Sequence, residues 1–114
     1  LCSGKVAHDL FSFRARHDIG GVVIARLEQL YPSPAQDLAA LLARYPRARR
    51  VRWVQEEPLN MGAWNFVLER LRDRLPAGYE LTHAARPRSG SPATGSQALH
   101  AVEQEVLLQQ AFLG

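Results

Sequence analysis

At 114 residues the chain has room for one hydrophobic core and too few residues for two. Its apolar fraction of 46% is ordinary for a folded domain, no apolar run approaches a membrane span, and a net charge of +3 falls short of a nucleic-acid-binding footprint. Cys2 is the only cysteine, which excludes an internal disulfide and points to a reducing, cytoplasmic setting. The opening residues lack the basic-then-apolar pattern of a signal peptide. Lys5 is the only lysine among many arginines. Nothing physical demands that bias across a whole surface, so it reads as genome composition.

Leu1-Cys2 followed by Ser3-Gly4 looks like the tail of a strand entering a turn, as if the sequence were cut from a longer chain. Ser3 is placed to cap a first helix over about residues 5–16, with Val6, Leu10 and Phe13 on one face. Asp18-Ile19-Gly20-Gly21 ends it, the glycines being able to take positive φ. Gly21 to Leu27 is β-branched and continuous, as expected of a strand covered on both faces.

Ser33-Pro34-Ala35-Gln36 is a helix start with Ser at the N-cap, and Leu38, Leu41, Leu42 and Tyr45 form the apolar stripe up to Pro46. A basic connector leads to a strand over Val51–Gln55. That strand stops at Gln55-Glu56-Glu57-Pro58, and a Gly62 turn opens a helix led by Trp64, with Val67, Leu68, Leu71 and Leu75. Tyr79 to Ala85 is a further strand, residues 86–96 a loop rich in Pro, Gly and Ser, and residues 97–112 a last helix with Leu99, Val102, Val106 and Leu107 on one side. The order β-α-β-α-β-α-β-loop-α implies an α/β fold in three layers, α/β/α, around a mainly parallel sheet of about four strands.

In such a sheet the strands end at one edge, where ligands collect. Residues distant in sequence meet there: Ser3-Gly4-Lys5, Arg26 with Glu28 and Gln29, Gln55-Glu56-Glu57, and Arg86 with Arg88. Lys5, Arg26 and Arg86 form a cationic trio beside a helix N-terminus, which suits a phosphate. The plainer reading stands beside it: Glu56 and Glu57 neutralise Arg26 and Arg86, and the cluster is solvated charge.

Other residue types offer less. His8, His17, His83 and His100 lack metal-ligand spacing, and Cys2 has no sequence-visible base. Glu56 and Glu57, if extended, point to opposite faces, which does not suit an acid–base pair. Neither a dinucleotide fingerprint nor a P-loop pattern occurs. Trp53 and Trp64 read as core or interface anchors, and the run Arg44 to Arg52 as a solvated or interdomain face.

Four blocks, in order, carry a resemblance: Ser3-Gly4-Lys5-Val6, Ile24 to Pro32, Gln55 to Trp64 with its QEEP-x-N-M-G-x-W spacing, and Arg86-Pro87 with Ser91 to Gly95. Together they make the chain similar to the C-terminal domain of 2-oxoglutarate dehydrogenase E1 components, with the 2-oxoadipate-type E1 enzymes close. The resemblance covers essentially the whole chain. It implies a transketolase-like C-terminal domain in a homodimeric enzyme that uses thiamine diphosphate and Mg²⁺. That enzyme decarboxylates a 2-oxo acid and passes the acyl group to the lipoyl domain of E2, the dihydrolipoyl succinyltransferase.

The cofactor belongs to preceding domains, so this segment is expected to bind none, to hold no metal or catalytic residue, and to be inactive alone. Its implied role is assembly: packing on the preceding E1 domains and the homodimer partner through a corner formed by Gln55, Glu56, Glu57, Asn60 and Trp64. The resemblance also implies a regulatory site for AMP or acetyl-CoA, to which Lys5, Arg26, Gln29, Arg86 and Arg88 are assigned. Nucleic acid and membrane are not expected partners.

Two other classes compete. A free-standing flavodoxin-like module, such as a receiver, needs an Asp where the third strand ends and a late Lys, and the chain has Gln55-Glu56-Glu57 and no lysine after Lys5. A nucleic-acid binder needs a basic stripe and strongly salt-dependent affinity.

Overall fold

A computed structural model describes residues 1–27, 35–87 and 97–113. Four helices, α1 (Val6–Arg16), α2 (Ala35–Arg44), α3 (Trp64–Leu71) and α4 (Gln97–Ala111), pack with strands β1 (Arg50–Pro58) and β2 (Glu80–Arg86). A 3-10 turn over Arg72–Arg74 follows α3. The strands run parallel, in register from Arg50 opposite Glu80 to Val54 opposite Ala84. Cys2 extends the pairing on the far side of β1 through single parallel bridges to Val54 and Arg26. The chain is therefore α/β with a small parallel sheet.

Side-chain alternation along β1 divides the core. Val51 and Trp53 join Leu27 and, from α2 and α3, Leu38, Trp64, Val67 and Leu71. Val54 joins Cys2 and, from α1 and α4, Val6, Leu10, Phe13, Leu107 and Leu108. Burying a large apolar side chain such as Trp53 or Leu71 contributes about 1.5–3 kcal/mol, so these clusters fix which face each helix covers.

Several boundaries differ from the sequence expectation. The N-cap of α1 is Lys5, with no side-chain cap, and Ser3 is exposed. The helix ends at Arg16 as expected, but its closure is made by Asp18 and not by the glycines. Asp18 takes φ of 50° while its N–H reaches Ala15 O and the Ile19 N–H reaches Arg14 O. This is a Schellman closure on one of the few non-glycine residues that tolerate left-handed backbone. Ser33 and Pro34 lie outside the described residues.

The expected strand over residues 21–27 is reduced to the bridge at Arg26. The strand expected to stop at Gln55 instead runs on to Pro58. Between Val54–Ala84 and Pro58–Arg86 the register slips, three residues of β1 facing one of β2, so the polar corner is a bulge within the strand.

The stripe expected to be buried on the last helix is also displaced. Leu99, Val102 and Val106 are about half exposed, whereas Leu107 and Leu108 are buried. The inner face of α4 instead passes through Glu103, Gln104, Leu107 and Leu108.

Candidate functional site

Gln55 organises the bulge. Its side chain is buried, yet every part of its amide is used. Oε1 accepts from Trp53 Nε1 and from the backbone N–H of Trp64, both at 3.0 Å. Nε2 lies within donor range of the carbonyls of Glu57 (3.2 Å), Pro58 (3.0 Å) and Met61 (2.8 Å). One strand residue thus caps α3, whose own N-cap, Ala63, has no capping side chain. Gly62 is required here. Its φ is +67°, and a Cβ would lie 3.1 Å from Glu57 Oε2 and 3.2 Å from the Gln55 amide. Trp64 is buried with its ring 4.8 Å from that of His83. Asn60 is exposed on the turn.

The bulge turns Glu56 toward α1 and α4 and leaves Glu57 exposed. Glu56 Oε1 accepts from Gln104 Nε2 at 3.0 Å, and Oε2 lies 4.0 Å from Lys5 Nζ. Gln104 Nε2 also reaches Asp9 Oδ2 at 3.0 Å, while its Oε1 accepts from Arg86 Nη2 at 2.8 Å. Arg86 Nη1 contacts Glu103 Oε2 at 3.2 Å and His100 Nδ1 at 3.1 Å.

Glu56 meets a lysine and an amide, and Glu103 of α4 is a carboxylate on Arg86. The reason is burial: Arg86 ends β2 with 7% of its side chain exposed, and a guanidinium is tolerated there only where carboxylate and amide oxygens replace water.

Of the residues assigned to a phosphate, Lys5 and Arg86 are linked through Glu56 and Gln104. Arg26 is exposed and lies beside Cys2, three positions before Lys5. Lys5 is 84% exposed. Gln29 and Arg88 lie outside the described residues. Among the described residues, no three His, Cys, Asp or Glu side chains cluster in a way that could hold a metal ion. Cys2 is a buried core thiol whose Sγ lies 3.8 Å from the Ala25 carbonyl.

Sequence reasoning missed Asp9, His100, Glu103 and Gln104. A signal was present: His100, Glu103, Gln104, Leu107, Leu108 and Ala111 follow helical spacing, but their polar half was passed over for the apolar stripe beside it. It also read Arg52 as part of a solvated or interdomain run. Arg52 Nη1 instead reaches the carbonyls of Gln110 (2.7 Å), Ala111 (3.2 Å) and Leu113 (2.7 Å), and Nε the Thr82 hydroxyl (3.0 Å). It is a cationic cap on the C-terminus of α4.

The Gln55–Gly62–Trp64 geometry explains why the most distinctive block of the sequence has its spacing, and comparison with known proteins places that block in a family. The family described as 2-oxoglutarate dehydrogenase C-terminal matches residues 1–112. The chain belongs to this family. Among curated relatives, the 2-oxoglutarate dehydrogenase E1 component of Cupriavidus necator is 44% identical over 112 residues, 98% of this chain and 12% of the relative. The E1 component of Rickettsia typhi is 46% identical over 115 residues and that of Geobacillus sp. 40% over 113, with the same shares covered. The chain thus spans about an eighth of the length of these relatives, and no helix among the described residues is long and apolar enough to cross a membrane.

Proposed function

We propose that the chain is the C-terminal domain of a cytoplasmic 2-oxoglutarate dehydrogenase E1 component, and that it serves assembly and regulation of that enzyme. The full protein would decarboxylate 2-oxoglutarate with thiamine diphosphate and Mg²⁺ and pass the succinyl group to lipoyl groups of the E2 partner. The family match over residues 1–112 carries the reading. In this reading the cofactor is held by other domains of the full protein, and no catalytic step is assigned to this chain. Core residues of β1 divided between α1 with α4 and α2 with α3 support a three-layer, transketolase-like arrangement.

In this reading the corner presents its exposed residues, Glu57 and Asn60, to the preceding domains and the homodimer partner, while Gln55, Glu56 and Trp64 hold it in shape. Lys5 and Arg26 are assigned to an effector phosphate of AMP or acetyl-CoA, as are Gln29 and Arg88, which lie outside the described residues. Lys5 is exposed beside Glu56, so an incoming phosphate competes with a weak, solvated ion pair. Arg86 holds α4 and acts through it.

Two measurements on the full-length protein test this. Lipoyl-domain succinylation from 2-oxoglutarate should require thiamine diphosphate and Mg²⁺; its absence sinks the enzymatic reading. Titration with AMP or acetyl-CoA should shift activity in the wild type and shift it less in Arg26→Ala. If neither compound binds or acts on the wild type, the regulatory reading is wrong.

A further inference from the structure

The positive charge of the chain is gathered in one turn. Of the 14 basic residues, four lie within residues 44–50, a stretch that holds no acid, so the other 10 are offset by the 11 acidic residues elsewhere. The turn joins the end of α2 to the start of β1, and Arg44, Arg47, Arg49 and Arg50 are all exposed on it. It is tightly folded: the Tyr45 N–H donates to Leu42 O (3.2 Å) and the Ala48 N–H to Tyr45 O (3.0 Å). Arg49 pins it further, its Nη1 donating to the carbonyls of Pro46 (2.6 Å) and Ala48 (2.8 Å).

Two of the guanidinium groups are also seated on aromatic rings. Arg49 lies 5.4 Å from the centre of the Tyr79 ring and Arg44 lies 5.7 Å from that of Tyr45. They are therefore held in place before any partner arrives, which lowers the ordering cost of binding. Their charge is nevertheless left standing. Arg50 meets the Glu80 carboxylate at 3.3 Å, whereas among the described residues Arg44, Arg47 and Arg49 meet no carboxylate. Like charges crowded into seven residues repel one another, and a partner of opposite sign relieves that repulsion.

We infer that the turn over residues 44–50 is a docking surface for an acidic protein segment, one that presents several Asp or Glu side chains within a short stretch. Planar guanidinium forks at close spacing match carboxylates in pairs of parallel hydrogen bonds. Nucleic acid fits less well. The two rings on which its bases would stack lie against Arg44 and Arg49, and the cations form one turn, not a stripe along which a phosphate backbone could run. The surface is also separate from the effector phosphate assigned above. Lys5 stands beside Glu56 near the far end of β1, whereas this turn leads into its start. The inference does not depend on the identity of the effector or on the reaction of the full protein.

Fluorescence anisotropy on the full-length protein tests it, with a labelled octaglutamate peptide as the probe at low ionic strength and a labelled single-stranded oligonucleotide beside it. The peptide should bind, and its affinity should fall as salt is raised. Arg44→Glu combined with Arg47→Glu should weaken it on the order of tenfold or more. Arg47→Ala supplies a second measurement should the double variant fold poorly. Among the described residues the Arg47 guanidinium makes no bond, so its removal leaves the turn intact and should still weaken the peptide about threefold. A wild-type protein that does not bind the peptide overturns the inference, as does binding that neither variant weakens. Tighter binding of the oligonucleotide, lost in the same variants, also overturns it and assigns the turn to nucleic acid.

Discussion

Gln55 Oε1 accepts the backbone N–H of Trp64 at 3.0 Å, so a residue in the bulge of β1 caps a helix that begins nine positions later. The same oxygen holds the indole of Trp53. Strand, bulge, turn and helix are thereby one hydrogen-bonded unit.

Replacing Gln55 with Ala leaves the Trp53 indole and the Trp64 N–H without their acceptor and three carbonyls without their donor. Since each buried orphan costs about 1–3 kcal/mol, with water offsetting some, the expected loss is ~2–4 kcal/mol. A denaturant midpoint shifted at unchanged m-value is the readout. A change below ~1 kcal/mol would show the amide to be dispensable.

Gln55→Glu is nearly isosteric but sets a carboxylate oxygen against the carbonyls of Glu57, Pro58 and Met61. Burial and that repulsion favour the protonated form, raising the folded-state pKa above the ordinary Glu value. The variant is therefore closest to wild-type stability below the unfolded pKa and loses stability as pH rises through the raised folded one. Unfolding curves across the acid-to-neutral range check the slope. Opposite or no pH dependence relative to wild type contradicts the geometry.

Gly62→Ala and Gly78→Ala form a matched pair. Both glycines have positive φ, +67° and +91°, but only Gly62 has neighbours that a Cβ would press, whereas Gly78 has none within 4 Å. Gly78→Ala should cost about 1 kcal/mol of backbone strain and Gly62→Ala measurably more, on the order of 2–3 kcal/mol. Equal thermal shifts would mean that the Gln55 amide yields freely.

Arg52→Ala removes the donor to three carbonyls at the end of α4, and Arg52→Lys supplies a charge without the fork that also reaches Thr82. The Ala variant should lose about 1–2 kcal/mol, with faster amide exchange confined to the last turn of α4, and Lys should recover only part. Full recovery by Lys would reduce the role of Arg52 to charge alone.

Gln104→Leu disconnects Arg86 from Glu56 and Asp9 while keeping the helix. A loss of ~1–2 kcal/mol is expected, with α4 amides near His100 exchanging faster. If only the regulatory response changed and stability did not, the network would be serving ligand binding and not the docking of α4.

The pairing of the 50s with the 80s came from the tertiary structure, but the sequence by itself determined the α/β class, the four helices to within a few residues, the parallel character of the sheet, and the family. Each rests on local information: apolar period, breakers such as Pro46 and Pro76, and one block of residues whose spacing is unusual. What it could not determine was which way a polar side chain turns. Gln55 folded into its own bulge depends on groups 2 to 9 positions away, and Glu56 beside Lys5 and Gln104, Arg52 on the end of α4 and Arg86 beneath it on groups 14 to 61 positions away. The exposed stripe of Leu99, Val102 and Val106 makes the same point. Helical spacing identifies an apolar face, but only the tertiary structure decides whether that face or the polar one beside it meets the core. Here the buried guanidinium of Arg86 decides, because it needs oxygen partners that an apolar face cannot provide.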